Sequence, residues 1–193
     1  MGVVLIGAAL ADYLAREATA TQLERSLERA APDTPPAELA LLAALLQNYI
    51  GRLPAALDAL AAMTKGDDAD KSVAFVAGQV LLYLVDEDDL FSEHDLGPIG
   101  LVDDAYFVDR CIAALSTAFP AIAPGDEYPP PDPRTIAVVR SILPQGVADA
   151  LDRTSDNLVR IAGAFFAGNR TRGAAEPPPR PAPRVAEALA SLP

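Results

Sequence analysis

Tryptophan is absent, aromatic residues make up only 6% of the chain, and cysteine and histidine occur once each, as Cys111 and His94. A lone cysteine excludes an intrachain disulfide framework and suits a reducing compartment, so a cytoplasmic location is expected. One histidine, with no second imidazole and no cysteine close by in sequence, argues against zinc. Cations are scarce as well: 15 Lys and Arg stand against 27 Asp and Glu, for a formal charge of −12 over 193 residues. Nucleic-acid backbones are held by Lys/Arg patches that displace counterions, and no such patch appears. The same deficit argues against an anionic membrane surface.

Long apolar runs are missing too. The N-terminal stretch MGVVLIGAAL has no basic leader and is interrupted by Asp12, so it reads as a poor signal peptide. It falls short of the roughly 20 apolar residues that span a bilayer. Gly2 lacks a Ser or Thr at position 6, which argues against myristoylation. No stretch sustains the alternation of a strand, and no repeat of fixed period is evident. Gly97-Pro98-Ile99-Gly100 lacks the lysine and glycine spacing of a phosphate loop. No Ser/His/Asp order or nucleophile elbow appears, so no catalytic residue is assigned and the sequence leans away from an enzyme.

What the chain does have is alanine and leucine, within a composition that is 51% hydrophobic. That composition favours close-packed helices over sheets. Apolar periodicity predicts a helix over 3–30, ended by Pro32, Pro35 and Pro36, with Asp33 or Thr34 as the cap of the next. The second helix runs from about Pro36 to Arg52 and breaks at Pro54. A short helix over 55–63 follows. The helix over 69–85 is apolar nearly all round, which marks it as central to the core. In the next helix Val108, Cys111, Ile112, Leu115 and Phe119 keep a helical core spacing, so Cys111 reads as a buried small hydrophobe. After a proline-rich loop over 120–133, helices are expected over 134–143 and 145–167, ended by Gly168. Val147, Leu151, Leu158, Ile161 and Phe165 form the apolar stripe of the last. Asp149–Arg153 and Asp156–Arg160 on that helix have the spacing and order of i,i+4 ion pairs.

The expectation is therefore an all-α, single-domain helical bundle of five to seven helices over 1–168. Its central hairpin would be formed by 69–85 and 103–119. The remainder, 169–193, reads as a basic, flexible tail rich in Pro, Arg and Ala.

Between the two hairpin helices the charge is one-signed. From Asp86 to Asp109 there are nine carboxylates and no Lys or Arg. Asp88, Asp89, Glu93, Asp95, Asp103 and Asp104 form a candidate site for a hard cation, Mg2+ or Ca2+, which takes several carboxylate oxygens. The spacing is not that of an EF-hand. Asp86, Glu87, Asp88, Glu93 and His94 form a candidate surface for a basic protein partner. A plainer role is open beside these. Asp103 would cap the second hairpin helix, Asp104 would complement its positive N-terminus, and the other acids would make a solvated turn at the exposed end of the hairpin.

The stretch from Leu81 to Ile112 resembles the bacterial DUF1232 (YkvA-like) family. Tyr83, Leu84, Val85, Asp89, Leu90, Phe91 and Glu93 match the first half of the family pattern, and Gly100, Val102, Asp103, Asp104 and Ala105 match the second. Glu87 and Ser92 stand where the family carries prolines, and the loop is one residue longer. The resemblance brings no settled activity with it. Three functions are consistent with the residues: a non-enzymatic interaction or adaptor protein that docks a basic partner, a metal-binding module or metal-dependent enzyme, and a peripheral membrane-associated protein. Homo-oligomerisation is compatible with the alanine-rich faces of the first two helices.

Overall fold

A computed structural model describes residues 10–16, 20–64, 71–84, 97–120 and 128–171. Among these residues the protein is an all-α helical bundle. A helical stretch over 10–16 leads into α1 (Ala20–Ala30), α2 (Pro36–Ile50), α3 (Leu53–Met63) and α4 (Lys71–Leu84). A 3-10 turn at Gly97–Gly100 runs straight into α5 (Leu101–Ala118), which is followed by α6 (Pro133–Ile142) and α7 (Gln145–Thr171).

Proline and glycine set the boundaries. α2 starts with Pro36, whose fixed φ suits the first turn; its N-cap is Pro35, and no side chain caps it. The expected Asp33 or Thr34 cap is thus not made: the N-cap position falls on Pro35, whose side chain carries no acceptor for the N–H groups of the first turn. α2 ends at Gly51, where the N–H bonds the Gln47 carbonyl at 2.9 Å. A Cβ at Gly51 would stand 2.8 Å from that same oxygen, which only glycine avoids. Pro54 then sits in the first turn of α3 and divides α2 from α3 as expected. Asp132 caps α6 by accepting from the Arg134 N–H at 3.1 Å. Gly168 does not end α7, which continues to Thr171. A single glycine in a helix interior costs only about 1 kcal/mol, too little to stop a long helix.

The two hairpin helices do pack on each other, but α5 is the hub. It touches α2, α3, α4, α6, α7 and the 3-10 turn, and its most extensive partner is α7. Every residue from Leu101 to Asp109 is buried, so the first half of α5 is surrounded on all sides. The predicted stripe is buried at Val108, Cys111, Ile112 and Leu115. Tyr106 and Phe107 on other faces are buried as well. Burying each such large side chain is worth about 1.5–3 kcal/mol over leaving it in water.

α7 answers α5 with small residues. Ala148, Leu151, Ser155, Leu158 and Ala162 are all buried and follow a 3-4-3-4 spacing, the seam of a close helix pair. Ile161, placed on the core stripe by the sequence, is 36% exposed instead. Ala148, Ser155 and Ala162 carry the seam because α4 also packs against α7, and Ser72 of α4 donates to the Ala162 carbonyl at 3.3 Å. α4 is less central than its composition implies: Leu82 is 58% exposed, because only one side of the helix faces α5 and α7. The end of the elbow departs from expectation in the other direction. Pro98, Ile99 and Gly100 are buried, since α1 packs across the 3-10 turn.

Candidate functional site: acids and their donors around the central helix

The candidate residues reach the structure in two groups. Asp86, Glu87, Asp88, Asp89, Glu93, His94 and Asp95 lie outside the described residues. Asp103 and Asp104 are described, and both are inside the protein, 0% and 2% exposed. Among the described residues no group of three or more His, Cys, Asp or Glu side chains is arranged to hold a metal ion.

Asp103 is not the N-cap of its helix. The preceding 3-10 turn makes Gly100 the cap position, and Asp103 falls within the first turn of α5. There it accepts a hydrogen bond from the Tyr83 hydroxyl at 2.8 Å. Tyr83 and Asp103 are 20 residues apart in sequence, and this bond ties α4 to α5. The Tyr83 ring also packs on Phe107 with centroids 4.6 Å apart. A buried carboxylate is tolerated only when donors replace its water, and here a phenol is one of them.

Asp109 lies six positions further on, which at 3.6 residues per turn places it on a different face of α5. It is 7% exposed and accepts from the Tyr128 hydroxyl. The Tyr49 hydroxyl of α2 turns toward the same carboxylate without a fully aligned bond. Arg52, in the turn between α2 and α3, completes the cluster. Its guanidinium stacks over the Tyr128 ring, 4.8 Å from the centroid, and donates to the Pro129 carbonyl at 2.7 Å. Together these contacts fasten the segment around Tyr128 to the bundle. Burial raises the Asp109 carboxyl above the ordinary carboxylate range, against the lowering effects of the Tyr128 and Tyr49 hydroxyls and the Arg52 charge. Burial and the nearby Asp109 raise Tyr49 and Tyr128 in turn.

A third cluster joins α5, α6 and α7. Asp152 accepts from the Tyr106 hydroxyl at 2.8 Å, pairs with Arg110 Nε at 2.8 Å and accepts from Arg140 Nε at 3.1 Å. Arg140 also pairs with Asp149, and Arg110 reaches Asp156 at 3.8 Å. The expected i,i+4 pairs along α7 are therefore replaced: Asp149 turns to Arg140 and Asp156 to Arg110, each on a neighbouring helix. A planar guanidinium held between helices loses less entropy than two mobile side chains on an open helix face. Arg160 donates instead to Asn157 Oδ1 at 3.2 Å. The Tyr106 hydroxyl is pushed up to about 12, first by burial and then by its bond to Asp152.

Tyr49, Arg52, Tyr106, Arg110, Tyr128, Arg140 and Asp152 were not visible as site residues in the sequence. One signal was present: Asp149, Asp152 and Asp156 follow i, i+3, i+7 spacing, an acidic stripe beside the apolar one, which asks for cations from a packed neighbour. Cys111 is fully buried, as its place on the α5 stripe implied. Burial raises its thiol, so it is held protonated and is no thiolate nucleophile.

Comparison with known proteins returns no match to a family model, to a curated protein or to a solved structure.

Proposed function

We propose that the protein is a non-enzymatic interaction protein that docks a basic partner through the acidic segment between α4 and α5. The observation that carries this is the charge from Asp86 to Asp109, nine acids without a Lys or Arg. Burial narrows which of these acids the proposal can use. Three of those acids, Asp103, Asp104 and Asp109, are buried in α5, and Asp103 and Asp109 accept from Tyr83 and Tyr128. Partner contact then falls to the six from Asp86 to Asp95, with Asp86, Glu87, Asp88, Glu93 and His94 as the named docking residues. The DUF1232-like pattern would supply the helical frame that presents them.

Such docking is electrostatic, so it weakens as salt shortens the Debye length to about 8 Å at 0.15 M ionic strength. The test is binding to a defined basic probe, poly-lysine peptide, across a salt series. A variant with Asp86, Glu87, Asp88 and Glu93 changed to Asn or Gln is run beside it. Binding that fails to appear at low salt, or that ignores the four substitutions, rejects the proposal. Calorimetry with Mg2+, Ca2+ and Mn2+ addresses the metal-binding alternative, for which Asp88, Asp89, Glu93, Asp95, Asp103 and Asp104 would have to converge. A heat signal lost in Asp89→Asn would replace docking with metal binding. Among the described residues no helix is long and apolar enough to cross a membrane. Flotation with neutral liposomes tests peripheral attachment.

A further inference from the structure

Between the outer faces of α5 and α7 lies an open cleft of about 510 Å3. That is within the usual range of roughly 300–1,000 Å3 for small-molecule sites. Its floor is apolar and made of small residues, Ala113, Ala114 and Ala118 on α5 with Val159 and Gly163 on α7, and Phe119 stands beside Gly163. A Cβ on Gly163 would meet only the Phe119 ring, at 3.8 Å. Glycine and alanine at these positions are what leave the cleft unfilled.

The polar rim is close to neutral, in a protein with a large excess of acid. Two guanidiniums, Arg110 and Arg160, face one carboxylate, Asp156, in a chain that carries 27 acids and 15 bases. Arg110 is shared with Asp152. Arg160 is not paired with a carboxylate among the described residues; Asp156, four positions before it, reaches for Arg110, and Arg160 rests on the neutral Asn157 oxygen. An arginine on a cleft wall whose only described partner is a neutral amide oxygen keeps further N–H donors for an incoming anion.

We infer that this cleft binds a small amphiphilic carboxylate, with its acyl chain on the alanine, valine and phenylalanine floor and its head on Arg160. A monoanion suits the rim better than a phosphate dianion, because Asp156 would repel the second charge. The cleft shares no residue with the proposed docking set, and the inference stands or falls independently of it.

Octanoate is the probe, with 1-octanol as its uncharged counterpart, each titrated into the full chain by calorimetry and by amide chemical shifts. Octanoate should bind at one site per chain and shift Ala113, Ala114, Thr117 and Gly163, with octanol weaker. Arg160→Ala, a surface change, should weaken octanoate about tenfold and leave octanol unchanged, since it removes one charge-assisted contact. Gly163→Leu should block both ligands by filling the floor, and Asp156→Asn should tighten octanoate. The idea is overturned if octanoate gives no saturable signal, if shifts map elsewhere, or if affinity survives both Arg160→Ala and Gly163→Leu.

Discussion

The protein holds its acids in two different ways. On the inner faces of α5, Asp103 and Asp109 accept from phenols, Tyr83 and Tyr128. On the α6–α7 side, Asp149, Asp152 and Asp156 are held by guanidiniums, Arg140 and Arg110. The difference follows depth. An arginine pair at the half-exposed rim keeps part of its hydration, whereas burying a second full charge beside Asp103 would add another desolvation penalty. A tyrosine hydroxyl brings a donor and an apolar ring together and needs no cation. In a chain short of Lys and Arg, phenols donate to the interior acids, with Arg52 beside Asp109, and at the rim the Tyr106 phenol shares Asp152 with Arg110 and Arg140. Burial still dominates at Asp109, whose carboxyl stays above its ordinary range despite the two hydroxyls and the Arg52 charge.

The largest expected effect is at Asp103. Asp103→Ala removes a fully buried acceptor together with its bond from the Tyr83 hydroxyl, and opens a small void. A loss of about 3 kcal/mol in urea denaturation is expected. A helix cap would give only about 1 kcal/mol, so the measurement decides between the buried and the capping role.

Next is Tyr128→Phe, which deletes the donor to Asp109 without changing shape. About 1–3 kcal/mol should be lost at neutral pH. The loss should shrink as the solution is acidified, because a protonated Asp109 no longer depends on that donor. A deficit of equal size at pH 5 and pH 8 would show that the bond contributes nothing particular to the charged form.

Asp109 itself makes a prediction of sign. Its folded pKa lies above its ordinary value. Between the unfolded and folded values the native state therefore binds more protons than the unfolded chain. Its contribution to stability is present below the unfolded pKa and is lost as pH rises through the folded one. That is opposite to a carboxylate held by a cation. Asp109→Asn should flatten this part of the stability–pH curve, read by thermal melts at steps of pH from 4 to 8. A variant curve parallel to the wild type would place Asp109 with the rim acids instead.

Much of the fold was legible in the sequence because it depends on local rules. Prolines 36 and 54 mark helix starts, and the Val108–Leu115 stripe has one period and one meaning. The burial of Asp103, Asp104 and Asp109 was not legible, because a carboxylate in an acidic run reads as solvated unless its donor is known. The donors to Asp103 and Asp109, Tyr83 and Tyr128, lie 20 and 19 residues away in sequence. The α5–α7 seam was half legible. Its α5 side is made of large apolar residues, whereas Ala148, Ser155 and Ala162 on α7 are small and do not register on a hydrophobic stripe. The ion pairs were misassigned for a related reason: the i,i+4 rule describes an isolated helix, and α7 is covered by α5 and α6, which offer better-placed guanidiniums.

The smallest effect is a test of that last point. Along α7, Asp149 and Arg153 have the spacing and order of a favourable surface pair, for which an isolated helix would gain about 0.3–0.5 kcal/mol. In the folded protein Asp149 is engaged with Arg140 of α6, and Arg153 is an exposed side chain. Arg153→Ala should therefore change stability by less than about 0.3 kcal/mol, with the better helix propensity of alanine offsetting any residual attraction. A double-mutant cycle makes the comparison independent of propensity, because that contribution cancels. Coupling between Asp149 and Arg153 should be indistinguishable from zero, and coupling between Asp149 and Arg140 should be measurable and should fall with added salt. If the 149–153 coupling proved the larger, α7 would be stitched along its own length, and the division between phenol-held and arginine-held acids would lose its rim half.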